Sequence, residues 1–481
     1  MLTPSGQISA TPDDRYRCGT LTYTKAGLFT LFSWLLWGDF CFTLMEVIWP
    51  TILPLVIKGQ GAPNTVLSLV MTTIPSAMNF ILNPIISTAS DRHRGRRGRR
   101  IPFLLWATPF ISLFLVLLGF SRELGEFVHA AISGTFPALT PSMVSIGLIC
   151  VLVIGFRFFE LFVATVFWYL FNDVVPSAFM GRFLGLFRVV GSLAGALFSY
   201  FLLPYAETHY SFIFLGAAIL YGSAFIMMSL NVKEGEYPPP DQNKEARPSL
   251  VVLIKSFFTE CFTHRIFQYI FTASFFGGMT VAINTFVIFQ AFSVGLTLKQ
   301  VGQISAVATL VSMLLMYPVG ALVDRFRPLR IMLVAQLGFC LVIPIKLVFL
   351  FRDFSPETTF LIFACTAGIY IPFSVANTAS SVPMLMLLFP QEKYGQFCSA
   401  NAMCHSMGLI VGGMLAGLVL DGLKSATGGG DYYYRFIPLW STCFMGVVMA
   451  LTYMIFRQWK KLGGDSSYRS PIADRFASAS V

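Results

Sequence analysis

Asn83-Pro84-Ile85-Ile86-Ser87-Thr88-Ala89-Ser90-Asp91-Arg92-His93-Arg94-Gly95-Arg96-Arg97-Gly98-Arg99-Arg100-Ile101-Pro102-Phe103 decides the fold. Six of the nine residues from Arg92 to Arg100 are arginines, yet the chain is apolar on both sides, near 66 to 88 and 101 to 120. Runs of ~20 apolar residues span a ~30 Å hydrocarbon core as helix. The charged stretch is therefore a short turn between two membrane-crossing helices. Working outward, ten further runs lie near 28 to 57, 143 to 171, 183 to 204, 210 to 230, 265 to 292, 299 to 322, 329 to 350, 358 to 388, 398 to 421 and 434 to 457. The 481 residues are 56% hydrophobic and 12% charged, against ~25% charged in soluble domains. That excludes a soluble enzyme and predicts an all-α membrane protein with twelve transmembrane helices.

The net charge of +10 is a matter of topology. With a cytoplasmic N-terminus, 24 of the 33 Lys and Arg fall in cytoplasmic segments, six in external loops and three inside spans; the opposite orientation breaks the positive-inside rule. Both termini are thus expected in the cytoplasm, in a plasma or bacterial inner membrane. The polar first 25 residues read as a tail and not a cleavable signal. Nucleic acid is excluded as a partner, since the basic residues sort by loop. No Gly-rich phosphate loop of the P-loop pattern occurs, and the nine cysteines form no cluster at ligand spacing. No metal or organic cofactor is expected, and no catalytic residue.

The quoted turn has an echo. Pro84 is followed by Asp91-Arg92, and Pro318 by Asp324-Arg325; likewise Pro176 precedes Gly181-Arg182-Phe183 and Pro390 precedes Gly395-Gln396-Phe397 at identical spacing. Two matched signals at matched places indicate a duplicated six-helix unit. The domains expected are a tail at 1–27, one half at 28–231, a linker at 232–264 marked by Pro238-Pro239-Pro240, a second half at 265–457 and a tail at 458–481. The fifth and eleventh spans carry glycines near four-residue intervals (Gly181, Gly185, Gly191, Gly195; Gly408, Gly412, Gly417), which let helix backbones approach closely.

The Asp-Arg turn continuing into Gly95-Arg96-Arg97, with its partial copy at Gly320 to Arg327, resembles the signature of the major facilitator superfamily. Asn83-Pro84 through Asp91-Arg92 to Gly98-Arg99-Arg100-Ile101-Pro102-Phe103 is similar to the glycoside-pentoside-hexuronide:cation symporters. The pair Met45-Glu46 before Pro50 and Pro54 is most similar to their sucrose:proton symporter branch. The resemblance implies two pseudo-symmetric halves, alternating access and proton-coupled symport of a sugar or glycoside by a monomer, with sodium as the alternative coupling ion. It also implies that Asp91 and Asp324, beside Arg92 and Arg325, latch the cytoplasmic side, with Asp173 and Arg182 as partners; the block Arg94 to Arg100 is expected mainly to set topology.

Charge inside a bilayer marks function by default. Six charged residues sit well inside spans: Asp39, Glu46, Arg157, Glu160, Arg188 and Lys346. Asp39 and Glu46 share one face of the first span, ~10 Å apart along it, with Thr43 between them, and either suits a proton carrier. Arg157 and Glu160, one turn apart, can pair, which makes Glu160 the poorer carrier. Arg157 is read either as a substrate contact or as a fixed ion-pair member. Arg188 is read as a gate contact or a snorkelling side chain, and Lys346 as snorkelling to the headgroups.

A polar neutral ligand calls for amides, hydroxyls and aromatic faces. The candidates are Trp37, Thr43, Asn79, Asn284, Gln290, Asn377, Asn401 and His405, with Arg157. Rival ligands are an organic anion, such as a uronide or muropeptide-like molecule, and a lysolipid.

Overall fold

The structure, a computed structural model, describes residues 16–236, 261–468 and 470–471, except 96 and 263. Much of the two tails, most of the 232–264 linker with its proline run, and Arg96 lie outside the described residues. Twelve helices are long and apolar enough to cross a membrane. They are Lys25–Gly59, Asn64–Arg92, Ile101–Gly119, Pro141–Val174, Ser177–Tyr205, Tyr210–Asn231, Arg265–Ser293, Leu298–Phe326, Pro328–Leu350, Pro356–Leu388, Tyr394–Ala426 and Tyr432–Lys461, here spans one to twelve.

Their starts follow from local chemistry. Thr24, Thr140 and Ser355 each accept a backbone N–H of the first turn, and Thr297 forms a reciprocal capping box with Gln300, the interactions that satisfy orphan helix donors. Proline occupies the first turn of spans three, four, nine and ten, where its missing N–H is harmless. Pro50 and Pro54 lie within the continuous helix of span one. An additional helix, Ser121–Ile132, stands between spans three and four and packs Gly125 against Ser145. Helical regularity breaks at a few places: π turns at Leu69–Thr73 and Phe198–Leu202, and 3₁₀ segments at Ile283–Phe286, Ile343–Leu350 and Tyr432–Phe436.

The chain divides into two compact units. Unit 1 is Met1–Gly61 with Met78–Gln242; unit 2 is Ala62–Ala77 with Asn243–Val481, so the first part of span two belongs with the second unit. In unit 1, Gly38 of span one meets Met228 of span six, Gly119 of span three meets Phe214, and Gly222 meets Ser112. Phe42, Phe167 and Phe225 close the core between spans one, four and six, with ring centroids 5.2 to 6.0 Å apart.

In unit 2, spans seven and eleven touch backbone to backbone. A Cβ on Gly408 would lie 1.9 Å from the Phe275 carbonyl oxygen, and one on Gly278 would lie 2.3 Å from that of His405. The glycine stripe of span eleven is thus a packing seam, extended by Gly417 against Thr65. The stripe of span five is different: Gly181 and Gly185 face open space, while Gly191 comes near Thr43 and Asp39 and Gly195 near Val47. A cluster of Phe267, Phe271, Phe389, Phe397 and Trp459 fills the end of unit 2 where span seven begins.

Candidate functional site

In unit 1 the carboxyl groups of spans one and four converge. Glu160 is 2% exposed and pairs with Arg157 at 2.6 Å across one helical turn. Glu46, on span one, lies near enough to act on Glu160 electrostatically and accepts a bond from Trp49 Nε1 at 3.4 Å. The Arg157 guanidinium lies over the Trp49 ring, 5.0 Å from its centroid, a cation–π contact that strengthens away from water. Two carboxyl groups beside one guanidinium leave one negative charge in excess when both are ionised. The ion pair with Arg157 does not screen Glu160 from Glu46.

Asp39, two turns nearer the start of span one, is fully buried. Its Oδ1 accepts from the Thr43 hydroxyl at 3.3 Å, while its Oδ2 has no hydrogen-bond partner among the described residues. The backbone of span five passes at Gly191, and the exposed Arg188 is near enough to act on Asp39 electrostatically. A buried, half-satisfied carboxyl is costly unless it can be protonated. Trp37 stacks on Phe40 at 5.8 Å and is 42% exposed, and Asn79 is partly buried.

The arginine-rich end of unit 1 is a knot of ions and backbone donors. Glu234 accepts the N–H groups of Arg99 and Arg100 at 2.9 Å and of Ile101 at 2.6 Å, capping span three where the helix field favours negative charge. Asp173 pairs with Arg99 and with Arg100, the latter at 3.1 Å, and Arg100 also pairs with Asp91. Arg100 is 4% exposed and lies over the Tyr169 ring at 5.0 Å. Two expectations need correction. Arg99 and Arg100 do more than set topology, because they hold the ends of spans two, three and four together. Asp173 takes these two arginines as partners, whereas Arg182 lies over the Phe179 ring at 5.9 Å.

The second copy of the turn is built otherwise. Asp324 and Arg325 form no ion pair among the described residues, and Arg325 lies over the Phe326 ring. Arg327, the non-glycine residue with positive φ at 74°, is instead held by Asp465, which also pairs with Arg330. Arg92 makes no ion pair among the described residues either.

Just outside span one a short hairpin, Arg17–Cys18 with Leu21–Thr22, leans on this end. Cys18 Sγ donates to the carbonyl of Asp173 at 3.4 Å. Burial and the Asp173 charge push its thiol pKa up, and burial pushes the Tyr23 hydroxyl up to about 12.

The amides of unit 2 separate into two cavities. Asn377, Asn401 and His405 line one of about 230 Å³ together with Gln336, whose Oε1 is buried without a partner. Here Ser274 donates its hydroxyl to Asn401 Oδ1, and His405 Nδ1 stands 3.2 Å from the Ser274 carbonyl. Asn284 and Gln290 line a second cavity of about 450 Å³ with Thr366, Tyr370 and Lys346. Lys346 therefore does not snorkel as expected: its Nζ sits 4.5 Å from the centre of the Phe363 ring, facing this cavity. Within unit 2 the expected substrate residues therefore divide between two cavities.

Sequence reasoning missed Asp421. Its carboxylate accepts the backbone N–H groups of Asn64 and Thr65 at 2.9 and 2.8 Å, the Asn64 side-chain amide at 2.9 Å and the Thr65 hydroxyl at 2.7 Å. Tyr434 donates to Asn64 Oδ1 at 2.8 Å. Span eleven thereby caps span two. The available signal was an acidic residue ending an apolar run while an Asn-Thr pair opened another.

A family model described as Major Facilitator Superfamily matches residues 35–412. Among solved structures, the chain is similar to a bacterial homolog of the human lysosomal transporter Spinster in its inward-facing, unoccupied conformation. The TM-score is 0.66 at 12% identity, covering 91% of this chain and 99% of that one. It is also similar to the nucleoside transporter NupG, with TM-score 0.60, 14% identity and coverage of 89% and 99%. A D-xylose-proton symporter matches with TM-score 0.59, 13% identity and coverage of 87% and 97%. At these identities the likeness concerns the fold. No curated protein sequence matches.

Proposed function

The chain belongs to the major facilitator superfamily and is a secondary transporter rather than an enzyme, and from that premise we propose proton-coupled symport of a sugar or glycoside. The observation that carries the reading is the buried Glu46–Glu160–Arg157 cluster, with Asp39 one step along span one. The excess negative charge gives a proton a place to load, and protonation neutralises the cluster. In this reading Glu46 and Glu160 carry the proton between them, Asp39 relays it, and Arg157 sets the balance. The resemblance of the 83–103 segment to the glycoside-pentoside-hexuronide:cation symporters supports a sugar as cargo.

The neutral cavity of Gln336, Asn377, Asn401 and His405 supplies donors and acceptors suited to hydroxyl groups, and we assign sugar contact there. The knot of Asp91, Arg100 and Asp173 serves as the cytoplasmic latch, with both termini on that side, one six-helix half on either side of the linker, and a monomer as the working form. Thermal shift of the purified protein against neutral disaccharides, uronides and lysolipids at two pH values tests the cargo. Stabilisation by neutral disaccharides, weakened by Asn401→Ala, is the expected result. Stabilisation by lysolipid alone overturns the sugar reading.

A further inference from the structure

The larger cavity of unit 2 has features that a neutral sugar does not call for. Three helices lose regular geometry around it: span seven at Ile283–Phe286, span nine at Ile343–Leu350 and span twelve at Tyr432–Phe436. Asn284 belongs to the first break, Ile343 and Lys346 to the second, and Ile437 and Pro438 follow the third; all line the cavity. Membrane transporters put ligands beside such breaks, where backbone groups and short helix ends are freed. An eight-residue 3₁₀ run is itself unusual, and its three-residue repeat eclipses side chains at i and i+3. That register sets Lys346 directly over Ile343 and turns both into the cavity.

The Thr366 hydroxyl of this cavity donates to the Ile362 carbonyl at 2.7 Å and keeps only its lone pairs for a ligand, but Lys346 and Gln290 differ. Lys346 forms no ion pair or hydrogen bond among the described residues, its recorded contact being the Phe363 ring. Gln290 is 3% exposed, and its side-chain amide makes no hydrogen bond among the described residues. A buried amide is normally satisfied, and an ammonium without a counter-charge is more costly still. Nearby, by contrast, Arg435 is balanced by Asp353 at 2.6 Å and by the carbonyls of Ser293 and Phe349. At about 450 Å³ the cavity falls in the range of small-molecule sites.

We propose that this cavity is a binding site for a hydroxylated oxyanion, whose charge pairs with Lys346 and whose remaining polar atoms bond to Gln290, Asn284 and the Thr366 hydroxyl. The group can come from a soluble sugar acid or from an anionic lipid headgroup such as glycerol phosphate. The site is additional to the sugar contacts assigned to the smaller cavity, and it does not depend on the carboxyl cluster of unit 1 being the proton carrier.

The test uses the full chain in nanodiscs. One arm adds glucuronate, or glucose as the uncharged control, to phosphatidylcholine discs. The other replaces part of the phosphatidylcholine with phosphatidylglycerol and adds no solute. Thermal stabilisation by glucuronate but not glucose is expected if the ligand is a solute, and stabilisation by phosphatidylglycerol if it is a lipid. In either arm Lys346→Met weakens the effect at least tenfold on the ligand axis, and Lys346→Arg retains most of it. Gln290→Leu, which keeps the charge, weakens it less and serves if Lys346→Met does not fold. No stabilisation of the wild type in either arm, or equal stabilisation of wild type and Lys346→Met or Gln290→Leu, overturns the proposal.

Discussion

Removing the carboxylates of the buried cluster one at a time and then together gives losses that do not add. Arg157 is 14% exposed and Glu160 2%, so the guanidinium depends on its neighbours for compensation. Glu46→Gln leaves Glu160 paired with the guanidinium at 2.6 Å, and Glu160→Gln leaves as the cluster's anion Glu46, which bonds the Trp49 indole under the guanidinium. Each single change keeps one negative charge and exchanges one hydrogen bond for a weaker one, a loss of about 1 kcal/mol. The double variant strands Arg157 without an anion, and removing the partner of a buried charge costs about 3–5 kcal/mol. The double loss therefore exceeds the sum of the singles by at least ~1 kcal/mol. Adding Arg157→Met to the double variant recovers most of it, since an uncharged side chain needs no counter-ion. Equilibrium unfolding in lipid–detergent micelles, followed by tryptophan fluorescence, provides the comparison. Strictly additive losses, or no recovery with Arg157→Met, would refute the shared-charge arrangement.

Further expectations concern packing, capping and thiol reactivity. Gly408→Ala drives a methyl against the Phe275 carbonyl and lowers stability by about 1–3 kcal/mol, whereas Gly181→Ala meets open space and is neutral or slightly stabilising; thermal unfolding separates them. Asp421→Ala removes four hydrogen bonds at the start of span two and destabilises by about 2–4 kcal/mol, with Asp421→Asn intermediate on the same assay. In a variant keeping Cys18 as its sole cysteine, alkylation at pH 8 runs slower than that of a free thiol and accelerates at higher pH, because the raised pKa depletes the thiolate. Asp173→Asn speeds the reaction, which mass spectrometry can time.

The helical architecture was legible because the bilayer imposes its own length on every span, and twelve apolar runs separated by sorted charge leave little freedom. The pairing of Arg157 with Glu160 was equally local, since residues three apart on a helix are neighbours. What escaped depends on contacts far apart in sequence or on departures from α geometry. Glu160 looked closed off by its arginine until span one brought Glu46 against it. Arg99 and Arg100 belong to an obvious topogenic block, but their partners Asp173 and Glu234 lie 74 and 135 residues from Arg99. Lys346 was read as snorkelling to the headgroups, because no sequence signal marks the 3₁₀ run that sets it beside Ile343 in the lining of the larger cavity. Asp421 ends an apolar run and an Asn-Thr pair opens another, but nothing local links the two, since the helix start it caps is more than 350 residues away.

The central claim is that Glu46 and Glu160 carry the coupled proton, and sugar-evoked proton movement tests it most directly. Proteoliposomes containing a trapped pH indicator, given an external sugar that stabilises the protein, acidify inside when the wild type is present. The Glu46→Gln/Glu160→Gln variant is predicted to exchange labelled for unlabelled sugar across the membrane while producing no pH change. A sugar-evoked pH change of wild-type size in that variant would contradict the account.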